Sequence, residues 1–296
     1  MVPRRLAKIL GYALFLVGIA SFFLYLYFPS EGVRQYVEAS ATRISPDLSV
    51  DVEGIRPSLP FGIKLKNTRV HHESKPGPAL FVADTLVLLP TIDTILKWRP
   101  IFRFSCDAYG GEIDGRLAFD SFAFDGDIAS DVDLKGILLE RYPMLRERLK
   151  RKCTGVISGA VSYAFDTKAV LAGSGQADLS VRDGTVGFIQ PFMGLDRLGF
   201  EHIDIRVRVE DEQAVVQKLS VKGDMLNAEG RGTIRLNQRL GRSMLDLTVQ
   251  IDPSSGFLGN DQGTLNLARL FMNGAGSGQL QVRIHGTLSQ PRFRLP

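Results

Sequence analysis

Residues 202–210 read HIDIRVRVE, in which Ile203, Ile205, Val207 and Val209 alternate strictly with Asp204, Arg206 and Arg208. A period of two sends successive side chains to opposite faces of a strand, so this segment is a ribbon with one apolar and one polar side. The pattern begins near Leu48, with Val50 and Val52 and then Ile63 and Leu65. It continues through 80–89, 101–109, 112–119, 122–134, 155–166 and 173–188. AVVQKLSVKG, AEGRGTIRLN, MLDLTVQID, GQLQVRIHG and PRFRL follow, separated by turn residues. Short strands at such close spacing predict an antiparallel meander and a mainly β fold.

A meander of this kind must cover its apolar side with a second sheet, with helices, by closing on itself, or with lipid. Few helices are expected. Ser30 can cap one running to about Ile44, with Val33, Tyr36, Val37 and Ile44 along one face. Residues 91–98 and 264–272 suit two more. Leu138, Tyr142, Leu145 and Leu149 recur at helical spacing within 135–152, where Pro143 divides the run into two short helices. The bases of ERLKRK (147–152) would then complement a helix dipole or meet an anionic partner. These helices cannot cover so many strands, so the sheet is expected to curl into a trough or half-barrel. Its wall would be Ile203, Ile205, Val207, Val209, Leu245, Leu247, Val249, Val282 and Ile284. Filling an ordinary core and accepting acyl chains are both open to those nine residues.

Ile9 to Phe28 is a run of twenty residues without a charge. As a helix it would be roughly 30 Å long, the thickness of a bilayer's hydrocarbon core. The run ends in Tyr25, Tyr27, Phe28 and Pro29 without a small-residue cleavage pattern, and Arg4, Arg5 and Lys8 precede it. It reads as an uncleaved transmembrane anchor (9–28) behind a cytoplasmic basic segment (1–8). A membrane-proximal helix (29–45) and an extracytoplasmic β domain (46–296) follow.

Residues 1–28 hold three of the four net positive charges, so the other 268 residues net to +1. That balance gives no support to nucleic-acid binding. Candidate chemistry is sparse. His71, His72 and Glu73 resemble metal ligands, but adjacent histidines on a strand face opposite ways, and no metal site is expected. Asp125, Asp127, Asp131 and Asp133 alternate as a solvated face without an EF-hand loop. The glycine-rich GSG (173–175) and GAGSG (274–278) lack the lysine and helix of a phosphate loop. No enzyme and no cofactor are expected. Cys106 and Cys153 would stand outside the cytoplasm, either as a disulfide or as two free thiols.

The anchor, FPSEGVRQYVE, and then VDVEGIRPSLPFGIKLKNTRV with its turn at Pro57-Ser58-Leu59-Pro60-Phe61-Gly62 resemble the type II secretion system protein N family, in its deltaproteobacterial-type branch. The second half resembles AsmA-like periplasmic domains, in GSGQADLSVRDGTV, in the FEHIDIRVRVE segment, and in the closing strand–GTL–x-x-P–strand of Val282 to Leu295. The first resemblance implies a non-enzymatic accessory component of protein secretion in the bacterial inner membrane, with a periplasmic body contacting other envelope proteins. The second implies a curved sheet with an apolar groove, linked to lipid binding or transfer. Neither supplies a catalytic residue.

Overall fold

The computed structural model describes residues 12, 15, 16, 18, 19, 22, 23, 25–44, 48–58, 62–72, 77–91, 93, 94, 99–123, 126–143, 145, 153–192, 195–224, 226–253 and 280–294. The mainly β expectation holds. Among the described residues a helix, α1 (Ser30–Ile44), leads into fourteen strands. These are β1 (Leu48–Ser58), β2 (Gly62–His72), β3 (Phe81–Pro90), β4 (Ile101–Ala108), β5 (Gly111–Phe119), β6 (Asp127–Leu138) and β7 (Cys153–Asp166), then β8 (Ser174–Phe192), β9 (Leu195–Glu210), β10 (Gln213–Lys222), β11 (Leu226–Arg235), β12 (Met244–Pro253), β13 (Leu280–Thr287) and β14 (Gln290–Arg294). They form a single sheet in strict chain order, every neighbouring pair antiparallel, and β1 does not pair with β14. The sheet is therefore open.

Local chemistry sets the turns. Tyr109 and Gly110 both have positive φ (53° and 81°), as a two-residue primed turn between β4 and β5 requires. Asp211 and Glu212 (47° and 61°) make the same turn between β9 and β10 without a glycine. Bulges interrupt the ladder near Gly136, whose φ is +68°, near Gly155, and within β10 after Val216. Each bulge bends its strand and strengthens the local twist.

The core is divided. Val52, Ile55 and Leu65 are buried at the β1 edge, with Phe28 and with Val33 and Val37 of α1 packed on their cluster. Tyr36, expected on the same helix face, is exposed instead. A second cluster joins Ala83, Cys106 and Ala108, and a third joins Leu226, Ala228, Val249, Ile251, Leu280 and Val282 at the far edge.

Two short helices were expected over 135–152, and the structure corrects their first part. β6 continues to Leu138, and Leu139–Arg141 is a single 3-10 turn. Lys135 belongs to the ladder opposite Glu112, and its ammonium lies 2.6 Å from the Asp114 carboxylate. Tyr142 ends the excursion by packing edge-on against Tyr109, ring centres 5.4 Å apart. The bases of 147–152 and the expected helix at 264–272 lie outside the described residues, as does most of 91–98. Among the described residues no helix is long and apolar enough to cross a membrane. Much of the anchor segment 9–28 also lies outside them. Within it, Tyr12, Phe15, Leu16, Ile19, Phe22, Phe23, Tyr25 and Leu26 are helical with exposed side chains.

Candidate functional site

In an antiparallel ladder, residues directly opposite one another share a face, so the register traces rows across the sheet. One row runs Pro57, Ile63, Leu88, Phe104, Gly115, Val132, Val161, Ala177, Val207, Val216, Gly232, Leu247, Ile284 and Phe293. It takes one residue from every strand and contains no polar side chain. The next row runs Ile55, Leu65, Leu86, Cys106, Ile113, Leu134, Gly159, Leu179, Ile205, Leu219, Gly230, Val249 and Val282. Val209 and Leu245 belong to the row on the other side, joined through Ala214 and Ile234. All nine residues expected to form an apolar wall therefore lie on one face of the sheet.

Sequence reading missed the first half of that face. Leu65, Leu86, Phe104, Val132, Val161 and Leu179 continue the same rows, and their own alternation was the available signal. What linked them to the later strands was register, which bulges shift.

Cover over this face is uneven. Leu65 is 2% exposed where α1 and Phe28 meet β1 to β3, and Val282 is 2% exposed at the other side. Between them Val132, Val161, Leu179, Ile205 and Val207 are only half-buried. Small residues let large neighbours lie flat. A Cβ on Gly115 would stand 2.5 Å from the Phe104 ring, and one on Gly175 would stand 2.7 Å from the Tyr163 ring. Each ring thus lies over the glycine paired with it, a device that fills a glycine gap and accommodates bending of the sheet.

The opposite face is charged and laced across strands. Arg283 grips Asp246 with two hydrogen bonds of 3.0 Å, Arg206 pairs with Asp178, and Lys218 reaches Asp204 at 3.7 Å. Hydrogen bonding from Arg283 holds the Asp246 carboxyl below the usual carboxylate range, and Lys135 and Ser105 do the same for Asp114. These groups are exposed, so the pairs fix register more than they add stability.

The remaining expected residues do not come together. Cys106 and Cys153 are both free. They stand on β4 and β7, with β5 and β6 between them, roughly 14 Å along the sheet, beyond disulfide reach. Burial, with Asp107 and Asp84 nearby, pushes the Cys106 thiol up to about 12. His71 lies 3.5 Å from Asp51 across the β1–β2 ladder, and Glu73 is outside the described residues. Asp127, Asp131 and Asp133 are exposed on β6, while Asp125 is outside the described residues. Among the described residues no three His, Cys, Asp or Glu side chains gather as metal ligands would.

Comparisons with family models, with curated proteins and with solved structures find no match to this chain.

Proposed function

We propose that this protein is a non-enzymatic, membrane-anchored module of the bacterial envelope whose sheet holds lipid acyl chains along its uncharged face. The observation that carries this reading is the fourteen-residue row without a polar side chain, half-open at its centre. An uncharged surface of that extent is costly in water unless something apolar covers it. An acyl chain laid along it would recover about 0.8 kcal/mol for each methylene removed from water. Curling of the sheet into a trough, eased by the bulges and by the rings lying over glycines, would supply the concave side. The exposed apolar side chains of 12–26 support an anchor, and Phe28 would bring the β1 edge of the face close to that membrane. A photo-cross-linker at Ile205 or Val207 of the full chain in cells is expected to capture lipid. Capture of the protein's own chain alone would overturn the reading.

The resemblance to the type II secretion system protein N family supports a place for this module as an inner-membrane accessory component of type II secretion. Its periplasmic β domain would act beside other envelope proteins. Cross-linkers placed along 279–295 would then recover a secretion component, and recovery of none would count against that assignment.

A further inference from the structure

The charged face of the sheet has no part in holding an acyl chain, yet its charges are not evenly mixed. Residues 29–296 net to +1. That near balance hides two patches of opposite sign. Over β11 to β14 the register sets Arg231, Arg283 and Arg294 in one row, His285 and Arg292 in the next, and Arg235 beyond them. Asp246 is the acid in these rows, and Arg283 already holds both of its oxygens. Among the described residues Arg235, Arg292 and Arg294 form no ion pair, and with Arg283 they border a cleft of about 610 Å³.

Over β4 to β6 the sign reverses. Asp107 stands opposite Glu112, and Asp114 opposite Asp133, with Asp131 two residues along on the same face. The bases in these rows are Arg103, Arg116 and Lys135. Lys135 is engaged by Asp114 and Glu112, and Arg116 by Asp93. Asp131 and Asp133 are exposed, and among the described residues neither forms an ion pair. Like charges facing across a ladder are unfavourable unless opposite charge or solvent separates them. Each patch therefore lacks what the other carries.

Their spacings also agree. Alternate residues of a strand are roughly 7 Å apart and neighbouring strands roughly 5 Å apart. Asp131 and Asp133 on β6 thus repeat at the interval of Arg292 and Arg294 on β14. Each pair has a further charge of its own sign one strand away, since Asp114 faces Asp133 and Arg283 faces Arg294. The Arg283–Asp246 clamp shows the contact this permits, a guanidinium fork against both carboxylate oxygens.

We propose that the basic patch of β13–β14 in one copy of this chain docks on the acidic patch of β5–β6 in a second copy, Arg292 and Arg294 meeting Asp131 and Asp133. The two patches differ, so the contact is heterologous and repeats until a ring closes or an open chain forms. Complementary charge at exposed positions selects partner and register more than it adds affinity, so the association is salt-sensitive.

Sedimentation velocity of the full chain in a nonionic detergent tests this. At about 0.02 M salt dimers or larger species are expected, and at about 0.5 M, where the screening length is roughly 4 Å, monomers. Reversing either patch, as R292E/R294E or as D131K/D133K, should weaken self-association about tenfold or more, because each copy then meets a patch of its own sign. Mixed in equal amounts the two variants should associate again, since one keeps the acidic patch and the other the basic patch. Such restoration also shows that neither variant failed by misfolding. R56E/R69E makes the same change in net charge at exposed positions of β1 and β2 and should sediment as the parent does. A chain that is monomeric at low salt, an equal loss in R56E/R69E, or no restoration on mixing variants with the parent's circular dichroism would overturn the proposal. So would association that survives high salt and both reversals, which would belong to the anchor segment. A polyglutamate peptide bound through Arg292 and Arg294 by a chain that stays monomeric would make the occupant a foreign acidic segment and overturn the second copy.

Discussion

Leu65 and Ile205 lie in one row of the sheet, and truncating each to alanine should cost very different amounts. Both substitutions remove about three methyl or methylene equivalents. Leu65 is 2% exposed within the cluster that α1 and Phe28 cover. Its three lost groups are worth about 2.4 kcal/mol of transfer, and a residual cavity under the helix raises the cost of Leu65→Ala to about 3–4 kcal/mol. Ile205 is half-buried on the open stretch of the face. Its partial exposure trims the transfer loss to about 1.8 kcal/mol, with little cavity because solvent already reaches the site. Urea unfolding of the detergent-solubilised chain, followed by far-ultraviolet circular dichroism, reads the difference of roughly 1–2 kcal/mol as a shift in midpoint at constant slope. Hydrogen exchange should also show faster opening of α1 in Leu65→Ala and no change there in Ile205→Ala. Equal costs would refute the argument, since Ile205 would then have to be as well covered as Leu65.

Gly232 and Gly230 face the same neighbour, β12, but should differ when changed to alanine. A Cβ at Gly232 (φ +154°) would stand 2.2 Å from the Asp246 carbonyl oxygen, whereas at Gly230 it meets only side-chain tips of Leu219 and Val249 at 3.2 Å. Gly232→Ala is expected to cost about 2–4 kcal/mol in the same unfolding assay and Gly230→Ala less than about 1. Glu212 holds positive φ without being glycine, so Glu212→Gly should stabilise by about 1 kcal/mol, visible as a higher melting temperature. With its thiol raised to about 12 and 1% exposed, Cys106 should resist alkylation at pH 8 while half-buried Cys153 reacts, as peptide mass spectrometry would show. Asp246 has a depressed folded pKa, so its contribution to stability is present above the ordinary carboxylate pKa of about 4 and disappears as pH falls through the folded value. Carboxyl NMR titration should place it below a solvated aspartate, and Arg283→Gln should return it toward the ordinary range.

Alternation made nearly every strand legible, because a period of two survives wherever one face is apolar. HIDIRVRVE is the clearest case, and Ile203 to Val209 face one way as expected. Register was not legible, since it depends on where a bulge inserts a residue. Gly136 shows how. Its positive φ produces a bulge in β6, after which Ile137 and Leu138 still pair with β7. Sequence reading instead placed Leu138, Tyr142, Leu145 and Leu149 at helical spacing, divided by Pro143; Pro143 and Leu145 are helical, whereas Leu138 ends β6. Tyr142 is at that spacing because it must return to pack on Tyr109 at the β4–β5 turn, a contact between residues 33 positions apart that no local period encodes. The pairing of Phe104 with Gly115 was hidden for the same reason.

The two faces make unequal demands on the fold, and that inequality is the physical argument behind the proposed acyl-chain ligand. Exposed pairs such as Arg206–Asp178 and Arg283–Asp246 contribute little net free energy but penalise a slipped register, because a shift of one residue would bring the whole uncharged set to the charged side. The uncharged face carries the stabilising burial, yet Val132, Val161, Leu179, Ile205 and Val207 on β6 to β9 are only partly buried, while Ile128, Ile137 and Val181 on the same strands are covered. Keeping all of them apolar, in line with the buried rows on either side, leaves a continuous path from the α1-covered edge to Phe293. On the proposed reading an acyl chain would lie along part of that path, its methylenes matching a row one side chain wide.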